Sequence, residues 1–117
     1  MPGRTPTLPE TAVAAVRRYC DAKVPAQYRD ELRVECDTRG KNVTIYECRP
    51  PWSPDFGSDW TRQPVAQLRY DPTTHLWRLY CADRNSRWHL YDMTEPTPQL
   101  GELLSEIDED STGIFWG

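Results

Sequence analysis

The chain has 117 residues, a net charge of −4 and 38% hydrophobic residues, which suits one domain with a single core and leaves no room for a second. It lacks an apolar run of ~18 residues and begins with the polar, proline-rich segment MPGRTPTLPE, so we expect no membrane span and no secretion signal. Four cysteines without a C-x-x-C pair favour free thiols over a disulfide framework or a zinc site, and together these features predict a cytoplasmic protein.

Charge is divided unevenly along the chain. All 14 Lys and Arg residues lie in residues 1–87 beside 11 acids, whereas residues 88–117 hold seven acids and no Lys or Arg. The simplest interpretation is a solvent-exposed acidic helix face, and the alternative is an electrostatic clamp or a nucleic-acid mimic.

The first predicted element is an N-terminal helix that begins at the segment TLPE. Thr7 and Glu10 have the spacing of a capping box, and Pro9 is tolerated in a first helical turn. We expect residues 1–7 to be flexible. Apolar residues then recur at helical spacing along one stripe, namely Val13, Val16, Cys20 and Val24.

From about residue 32 the apolar period changes to two, which predicts a five-stranded antiparallel β-meander. In the first hairpin, a turn centred on residues 39–40 would set Cys36 opposite Val43. In the later hairpins, loops at residues 72–75 and 85–86 would bring one apolar set to the core face, namely Leu68, Tyr70, Trp77, Leu79, Cys81, Trp88 and Leu90.

The opposite face of the predicted sheet is the candidate binding surface. The register sets Arg69 opposite Arg78, a like-charge pair that is destabilising unless an anion or a carboxylate lies nearby. The pair is accommodated either by the acidic C-terminal segment of the chain itself or by plain water, or it binds a phosphate backbone whose bases stack on aromatic side chains. The candidate binding residues on this face are Arg69, Arg78, Tyr80, Arg87, His89 and Tyr91.

The connection over residues 49–63 is unusually long and carries Trp52, Phe56 and Trp60. Loops of this length are commonly functional or held by their own side chains. The aromatic residues either pin the loop over the core or form a rim for stacking or peptide binding, and on the second interpretation Trp52 and Trp60 join the candidate binding residues.

The C-terminal part predicts a second helix followed by an acidic and aromatic tail at residues 108–117. Thr97 and Pro98 open the helix, whose apolar stripe is Leu100, Leu103, Leu104 and Ile107. Gly113 can adopt the positive φ that turns a chain back after a helix. We therefore expect the tail with Ile114, Phe115 and Trp116 to pack on the domain, the alternative being a tail that is presented to a partner.

Catalytic signals are weak in this sequence. Asp37 and Glu47 resemble the carboxylates of metal-dependent nucleases, but the predicted register separates their Cα atoms by ~16 Å and places them on opposite faces. A metal-dependent hydrolase or nuclease using these two residues is the alternative function, and no catalytic residue, metal or cofactor is assigned. Because Cys20 lies on the apolar helix stripe and Cys36 and Cys81 lie on the apolar sheet face, we expect these three thiols to be protected and Cys48 to be the more reactive thiol.

Four strings, ECRPPW, PVAQLRYDPTTHLWRLY, DRNSRWHLYD and EIDEDSTGIFWG, resemble a family of small bacterial proteins known as domain of unknown function 3024. The resemblance implies a stand-alone bacterial cytosolic protein and no particular activity. We thus predict one α+β domain over residues 1–117, with an N-terminal helix, a five-stranded antiparallel β-meander and a C-terminal helix with a docked aromatic tail. Its predicted function is non-catalytic binding of nucleic acid or a protein partner through the Arg/Tyr/His sheet face.

Overall fold

The computed structural model describes residues 8–51 and 59–117. Five strands form one antiparallel sheet in sequence order, with a helix before it and a helix after it. This confirms the predicted α+β architecture. The elements are α1 (Glu10–Lys23), a short 3-10 turn (Ala26–Tyr28), β1 (Arg33–Arg39), β2 (Asn42–Arg49), β3 (Thr61–Asp71), β4 (Leu76–Ala82), β5 (Trp88–Leu90) and α2 (Leu100–Glu109).

The start of α1 differs from the predicted capping box. Pro9 is the N-cap in an extended conformation, and no side chain caps the helix. Glu10 is therefore the first helical residue and not the third, so it is not in position to reach back to a cap. Thr7 lies outside the described residues.

Both helices pack on the same face of the sheet and form the core with it. The buried residues of both helices belong to the predicted apolar stripes, with Val13 of the α1 stripe only half-buried, and the strands contribute the side chains of their facing surface. Non-polar burial of this kind is the main favourable term in folding. The largest fully buried members are Val16, Val43, Ile45, Leu68, Trp77, Leu79, Leu103 and Ile107.

The β1–β2 register differs from the prediction by two residues. Cys36 pairs with Ile45 and not with Val43, because the turn residues are Gly40 and Lys41. Gly40 has φ +57°, and the tight turns of hairpins require a positive φ at their first central residue. A shift of two residues preserves the face of every side chain, so the predicted core face of these strands is correct.

The β4–β5 register differs from the prediction by one residue, which reverses the faces of β5. Cys81 pairs with His89, and Leu90 is exposed. The cause is a turn with three residues between Asp83 and Arg87 in place of the predicted two. The Asp83 carboxylate holds this turn by accepting the Arg87 backbone N–H at 2.9 Å, and the left-handed Ser86, with φ +61°, closes it.

The C-terminal tail folds back onto the domain, as predicted, although Ile114 stays exposed. Phe115 is buried with its ring centroid 5.0 Å from that of Tyr91. Trp116 donates its indole N–H to the Ile107 carbonyl at 3.1 Å, and the Lys23 ammonium lies 4.7 Å from its ring centroid. The tail therefore covers the end of α2 and extends the core.

Asp110 directs this return of the chain. It ends α2 in the left-handed conformation with φ +47°, and Gly113 adopts φ +73°. The Asp110 carboxylate accepts the backbone N–H groups of Phe115 and Trp116 at 3.0 and 2.7 Å and that of Gly117 at 3.3 Å. These hydrogen bonds outweigh the opposing effect of desolvation and lower the pKa of Asp110.

Substituting Asp110→Asn should lower the free energy of unfolding by ~1–2 kcal/mol at neutral pH, because the amide keeps the shape but loses the charge and one acceptor oxygen. A carboxyl whose pKa is lowered by folding stabilises above its unfolded pKa of ~3.9 and loses that contribution as pH falls. Denaturant unfolding of both proteins should therefore show a constant difference from neutral pH to about pH 5, which shrinks below ~pH 4. Glu109→Gln, at the exposed neighbouring residue, is the matched control and should show no comparable loss.

Candidate functional site

The face of the sheet opposite the helices carries a cluster of cationic and aromatic side chains. The strand registers place these side chains together, because paired residues of antiparallel strands project to the same side. We call this cluster the basic sheet face. It consists of Thr44, Tyr46, Arg62, Gln67, Arg69, Arg78 and Tyr80.

Two arginines of the basic sheet face lie on tyrosine rings. The guanidinium carbon of Arg69 is 3.8 Å from the ring centroid of Tyr80, and that of Arg62 is 4.0 Å from the centroid of Tyr46. A guanidinium that stacks on a ring keeps its N–H edges available for hydrogen bonds to an anion. The rings therefore orient two cations whose bonding edges remain usable.

The position of Arg69 is fixed by a chain of hydrogen bonds across the face. Gln67 donates its amide to the Thr44 hydroxyl at 3.0 Å, and its carbonyl oxygen accepts the Arg69 Nε–H at 2.6 Å. Gln67 and Thr44 are only 8% and 7% exposed, so this part of the face is rigid by comparison with a free surface side chain.

Arg69 pairs directly with Arg78, as the sequence predicts. Among residues 8–51 and 59–117, no carboxylate forms an ion pair with either arginine. The Asp71 carboxylate on the same side of the sheet attracts Arg78 electrostatically, so the like-charge pair is compensated only in part and not by a direct ion pair.

The acidic C-terminal segment is not the anion of this face, so that prediction is wrong. Asp108 forms an ion pair with Lys23 at 3.1 Å, and Glu106 accepts a hydrogen bond from the Tyr91 hydroxyl at 2.9 Å. Both contacts belong to the helix layer, on the other side of the sheet. The fold thus separates the acidic segment from the arginines, because α2 must bury its apolar stripe against the core face.

The strands give this side of the sheet five arginines against three carboxylates. The arginines are Arg33, Arg39, Arg62, Arg69 and Arg78, and the carboxylates are Glu35, Asp37 and Asp71. One of the carboxylates, Asp37, lies 3.9 Å from Arg62. The uneven charge of the sequence is therefore also a separation in space, which the net charge of −4 hides.

A polar depression of about 290 Å³ opens beside Arg62, one of the two stacked arginines of β3. Hydroxyl and amide side chains line it together with Trp88, the half-buried tryptophan of β5. Its volume is at the lower end of the range for small-ligand sites. The lining residues are Asp37, Thr38, Arg39, Asn42, Thr44, Tyr46, Arg62, Gln67 and Trp88.

Two of the predicted binding residues, His89 and Tyr91, do not lie on the basic sheet face. The one-residue shift of β5 turns His89 to the side of Cys81, where it bonds Asp83 at 2.8 Å. Tyr91 is 4% exposed and packs on Phe115. Their assignment to this face is wrong because a single register error reverses a whole strand.

The other predicted residues have mixed outcomes. Arg69, Arg78 and Tyr80 come together as predicted. Arg87 lies in the exposed β4–β5 turn, Trp60 lies under the Arg33 guanidinium with 4.0 Å to its ring centroid, and Trp52 lies outside the described residues.

The sequence interpretation missed Tyr46 and Arg62 as site residues. Tyr46 alternates with Ile45 and was identifiable as outward-facing. The sequence pattern places Arg62 in the long connection, but β3 begins at Thr61, so this arginine belongs to the sheet. The signal for the earlier start is the stretch TRQPVAQ, in which Pro64 marks an irregularity where the β2–β3 register shifts.

Asp37 and Glu47 are not brought together. Asp37 pairs with Thr44, whereas Glu47 pairs with Val34, three residues along β1 and on the opposite face. Glu47 forms an ion pair with Arg49 at 3.1 Å. Within residues 8–51 and 59–117, no group of three or more His, Cys, Asp or Glu side chains has the arrangement of a metal site.

A family model matches residues 5–117 of the chain. The chain belongs to the family described as Domain of unknown function (DUF3024). No curated protein and no solved structure matches it. Membership of the family is what the sequence strings predict, and the bacterial and cytoplasmic assignments stay predictions. In the described part of the chain, no helix is long and apolar enough to cross a membrane.

The four thiols of this family member differ from the predicted order of accessibility. Cys48 is 2% exposed and donates its thiol hydrogen to Glu35 at 3.5 Å, and burial raises its pKa. Cys36 is only half-buried, whereas Cys20 and Cys81 are buried. The expectation that Cys48 is the reactive thiol and Cys36 is protected is therefore wrong. Neighbouring side chains cover Cys48 in the middle of the sheet, while Cys36 lies on the edge strand β1.

Proposed function

We propose that the basic sheet face binds single-stranded nucleic acid and that the protein acts as a non-catalytic binding module. The observation that carries the proposal is the pair of arginines stacked on tyrosine rings, Arg69 on Tyr80 and Arg62 on Tyr46. Arginine and aromatic side chains on an open sheet face are the two components that proteins use to hold single strands.

The phosphate contacts are assigned to Arg69 and Arg78. These two side chains are directly paired across β3 and β4, where two positive charges repel each other. A phosphodiester oxygen between them would turn this repulsion into attraction, and arginine is the cation best suited to bidentate phosphate recognition. The unusual pair therefore has a physical reason if an anion binds there.

The base contacts are assigned to the stacked guanidinium planes and to the polar depression. A guanidinium plane can itself stack on a base. The depression offers Asn42 and the Thr44–Gln67 pair as hydrogen-bonding groups, with Trp88 at its side. These groups suit an unpaired base whose faces and edges are accessible, and a duplex conceals both.

The charge of the whole chain fits a weak, local interaction. Its acids are concentrated in the helix layer, so a polynucleotide would be attracted to one side of the sheet and repelled by the other. We expect binding that is measurable at low salt and falls steeply as salt rises. A protein partner on the same face remains the alternative outcome of the test.

Substituting Arg78→Glu should reduce the affinity for a single-stranded oligonucleotide of about 12 nucleotides at least 10-fold at low salt, because it replaces a phosphate contact by a repulsive charge. Arg84→Glu makes the same charge change at an exposed residue of the β4–β5 turn, off the basic sheet face, and is the matched control. Fluorescence anisotropy over a salt series measures both proteins, and circular dichroism checks their folding.

The proposal requires that the parent protein binds, that its affinity falls with salt, and that Arg78→Glu weakens it far more than Arg84→Glu. Equal losses for the two variants would mean that only net charge matters. No binding by the parent at low salt would remove the proposal and leave the protein partner.

A further inference from the structure

We propose that the polar depression of the basic sheet face is a guanine-selective base site, in which the Asp37 carboxylate accepts hydrogen bonds from the Watson–Crick edge of the base. The inference rests on the proposed function, because it names the base that a bound single strand would place in the depression. A volume of about 290 Å³ lies at the lower end of the range for small-ligand sites, which suits one base.

Side chains from both edges of the sheet line the depression. The edge strand β1 contributes Asp37 and Arg39, and the edge strand β5 contributes Trp88. These strands are four strand spacings apart, or roughly 19 Å at ~4.8 Å per spacing, so the depression spans the sheet. Ala82, the partner of Trp88 on β4, is small, and this allows the indole to reach the depression from the edge. An indole ring offers a plane on which a base stacks.

Asp37 differs from the other two carboxylates on this side of the sheet, because they have structural partners. Glu35 accepts a thiol hydrogen at 3.5 Å, and Asp71 accepts the Thr73 backbone N–H at 2.9 Å, which holds the β3–β4 turn. The Asp37 side chain is 65% exposed, and its polar contact within residues 8–51 and 59–117 is the ion pair with Arg62 at 3.9 Å, which is too long for a hydrogen bond. A carboxylate repels phosphate, so its position on a phosphate-binding face needs a separate reason.

A carboxylate selects guanine because of the order of groups along the Watson–Crick edges of the bases. Its two oxygens accept hydrogen bonds and donate none, so they match two adjacent donors. Guanine presents such a pair, the ring N1–H beside the N2 amino group. Adenine and cytosine place an amino group beside a ring nitrogen lone pair, and thymine and uracil place one N–H between two carbonyl oxygens. Each of these bases would therefore set an acceptor against the second carboxylate oxygen.

The neighbouring groups complement the other atoms of guanine. Arg39 and Asp37 are two residues apart on the same face of β1, or ~7 Å at ~3.3 Å per residue, which is about the width of a purine. A base with its N1 and N2 groups on Asp37 would direct its O6 and N7 acceptors toward Arg39 or Asn42, and arginine is the commonest specific partner of these two atoms. The Trp88 indole and the Arg62 guanidinium plane, which also line the depression, are available to the faces of the base.

The experiment compares labelled oligothymidylates of about 12 nucleotides that differ only at one central base, by fluorescence anisotropy at low salt. The parent protein should bind the version with a central guanine about 10-fold more tightly than the all-thymine, adenine and cytosine versions. Hypoxanthine at the same position lacks only the N2 amino group of guanine, so it should bind several-fold more weakly than guanine. This change in the ligand tests the contact without altering the protein.

Asp37→Asn replaces one carboxylate oxygen by an N–H donor, which opposes a donor of guanine. The variant should lose the guanine preference, while its affinity for the all-thymine oligonucleotide should stay equal or rise slightly because a charge that repels phosphate is gone. Glu35→Gln is the matched control, since it makes the same charge change on the same strand and face at a residue that does not line the depression. It should keep the guanine preference.

Equal, salt-sensitive binding of all the oligonucleotides, or a preference for another base, would overturn the guanine site and leave the proposed function intact. A guanine preference that persists in Asp37→Asn, or that Glu35→Gln removes to the same extent, would overturn the role of Asp37. If the parent protein binds none of the oligonucleotides at low salt, the proposed function and the guanine site are both wrong.

Discussion

Replacing Phe115 by alanine should lower the free energy of unfolding by ~3–4 kcal/mol and the melting temperature by roughly 10–15 °C. The side chain is 7% exposed and packs on the Tyr91 ring, so its removal leaves a cavity that the sheet and α2 fill only in part. Thermal unfolding followed by circular dichroism measures the change.

Ile114→Ala is the matched control, because Ile114 is the neighbouring apolar residue but is 46% exposed. It should change the free energy of unfolding by less than ~1 kcal/mol. Deleting residues 113–117 should be at least as destabilising as Phe115→Ala, although the deletion also releases the ordering entropy of the tail. Unchanged melting in both the deletion and Phe115→Ala would mean that the tail contributes nothing to the core and is available to a partner.

Replacing both tyrosines under the stacked arginines, Tyr46→Leu with Tyr80→Leu, should weaken single-stranded oligonucleotide binding by about 100-fold. The double variant keeps every arginine and the net charge. It removes the rings that orient Arg62 and Arg69, and with them the ordered stacking surface. The expected loss presupposes that the basic sheet face binds single strands. Its size shows how much of the affinity comes from the stacked rings and how much from the arginine charges.

Tyr28→Leu removes a tyrosine that is 49% exposed in the 3-10 turn, away from the basic sheet face, and should leave binding unchanged. The salt dependence separates the two contributions, because its slope counts phosphate contacts. We expect the double tyrosine variant to keep the slope of the parent protein and lose affinity at every salt concentration. An unchanged affinity would show that the rings only cover the sheet and that the arginines act as simple charges.

The stacked pairs also give a reason for the composition of the outer face. An exposed sheet face without a ligand is normally covered by small polar side chains or by side chains of both charges. Here β2 and β4 instead hold tyrosines that stack on arginines of β3, and one of these arginines, Arg69, is bonded to the buried Gln67–Thr44 pair. Buried polar contacts of this kind contribute little net stability, so they are better explained by the need to hold Arg69 in one place.

The local pattern of apolar and polar residues was sufficient to predict the helices and strands and, for most strands, which side chains face the core. The 3.6-residue period identified the buried stripes of both helices, and the period of two identified the core faces of β1 to β4. Even the incorrect β1–β2 register kept each face, because an error of two residues leaves the alternation unchanged. The docked tail followed from a balance of apolar area against chain entropy.

The candidate site was less predictable, since it depends on turns whose length the sequence pattern does not specify. One additional residue in the β4–β5 turn, held by Asp83, moved His89 and Tyr91 off the face and brought Trp88 to the depression. An early start of β3 added Arg62. Neither the longer β4–β5 turn nor the earlier start of β3 changes the composition of its segment, so neither can be recognised from the periodicity of the sequence.

By itself, the sequence determined the α+β architecture, the two helix stripes, the Arg69–Arg78 pair and the return of the aromatic tail, because each depends on residues close in the chain or on an alternation that tolerates small errors. Only the tertiary structure decided which cations stack on which rings and that the acidic segment lies behind the sheet. Those contacts join residues far apart in the chain, and the packing of α1 and α2 on one face sets them. Whether two residues distant in the chain meet depends on every strand register and turn length between them. An error of one residue in a turn, which leaves the local prediction of a strand unaffected, therefore changes which side chains come into contact.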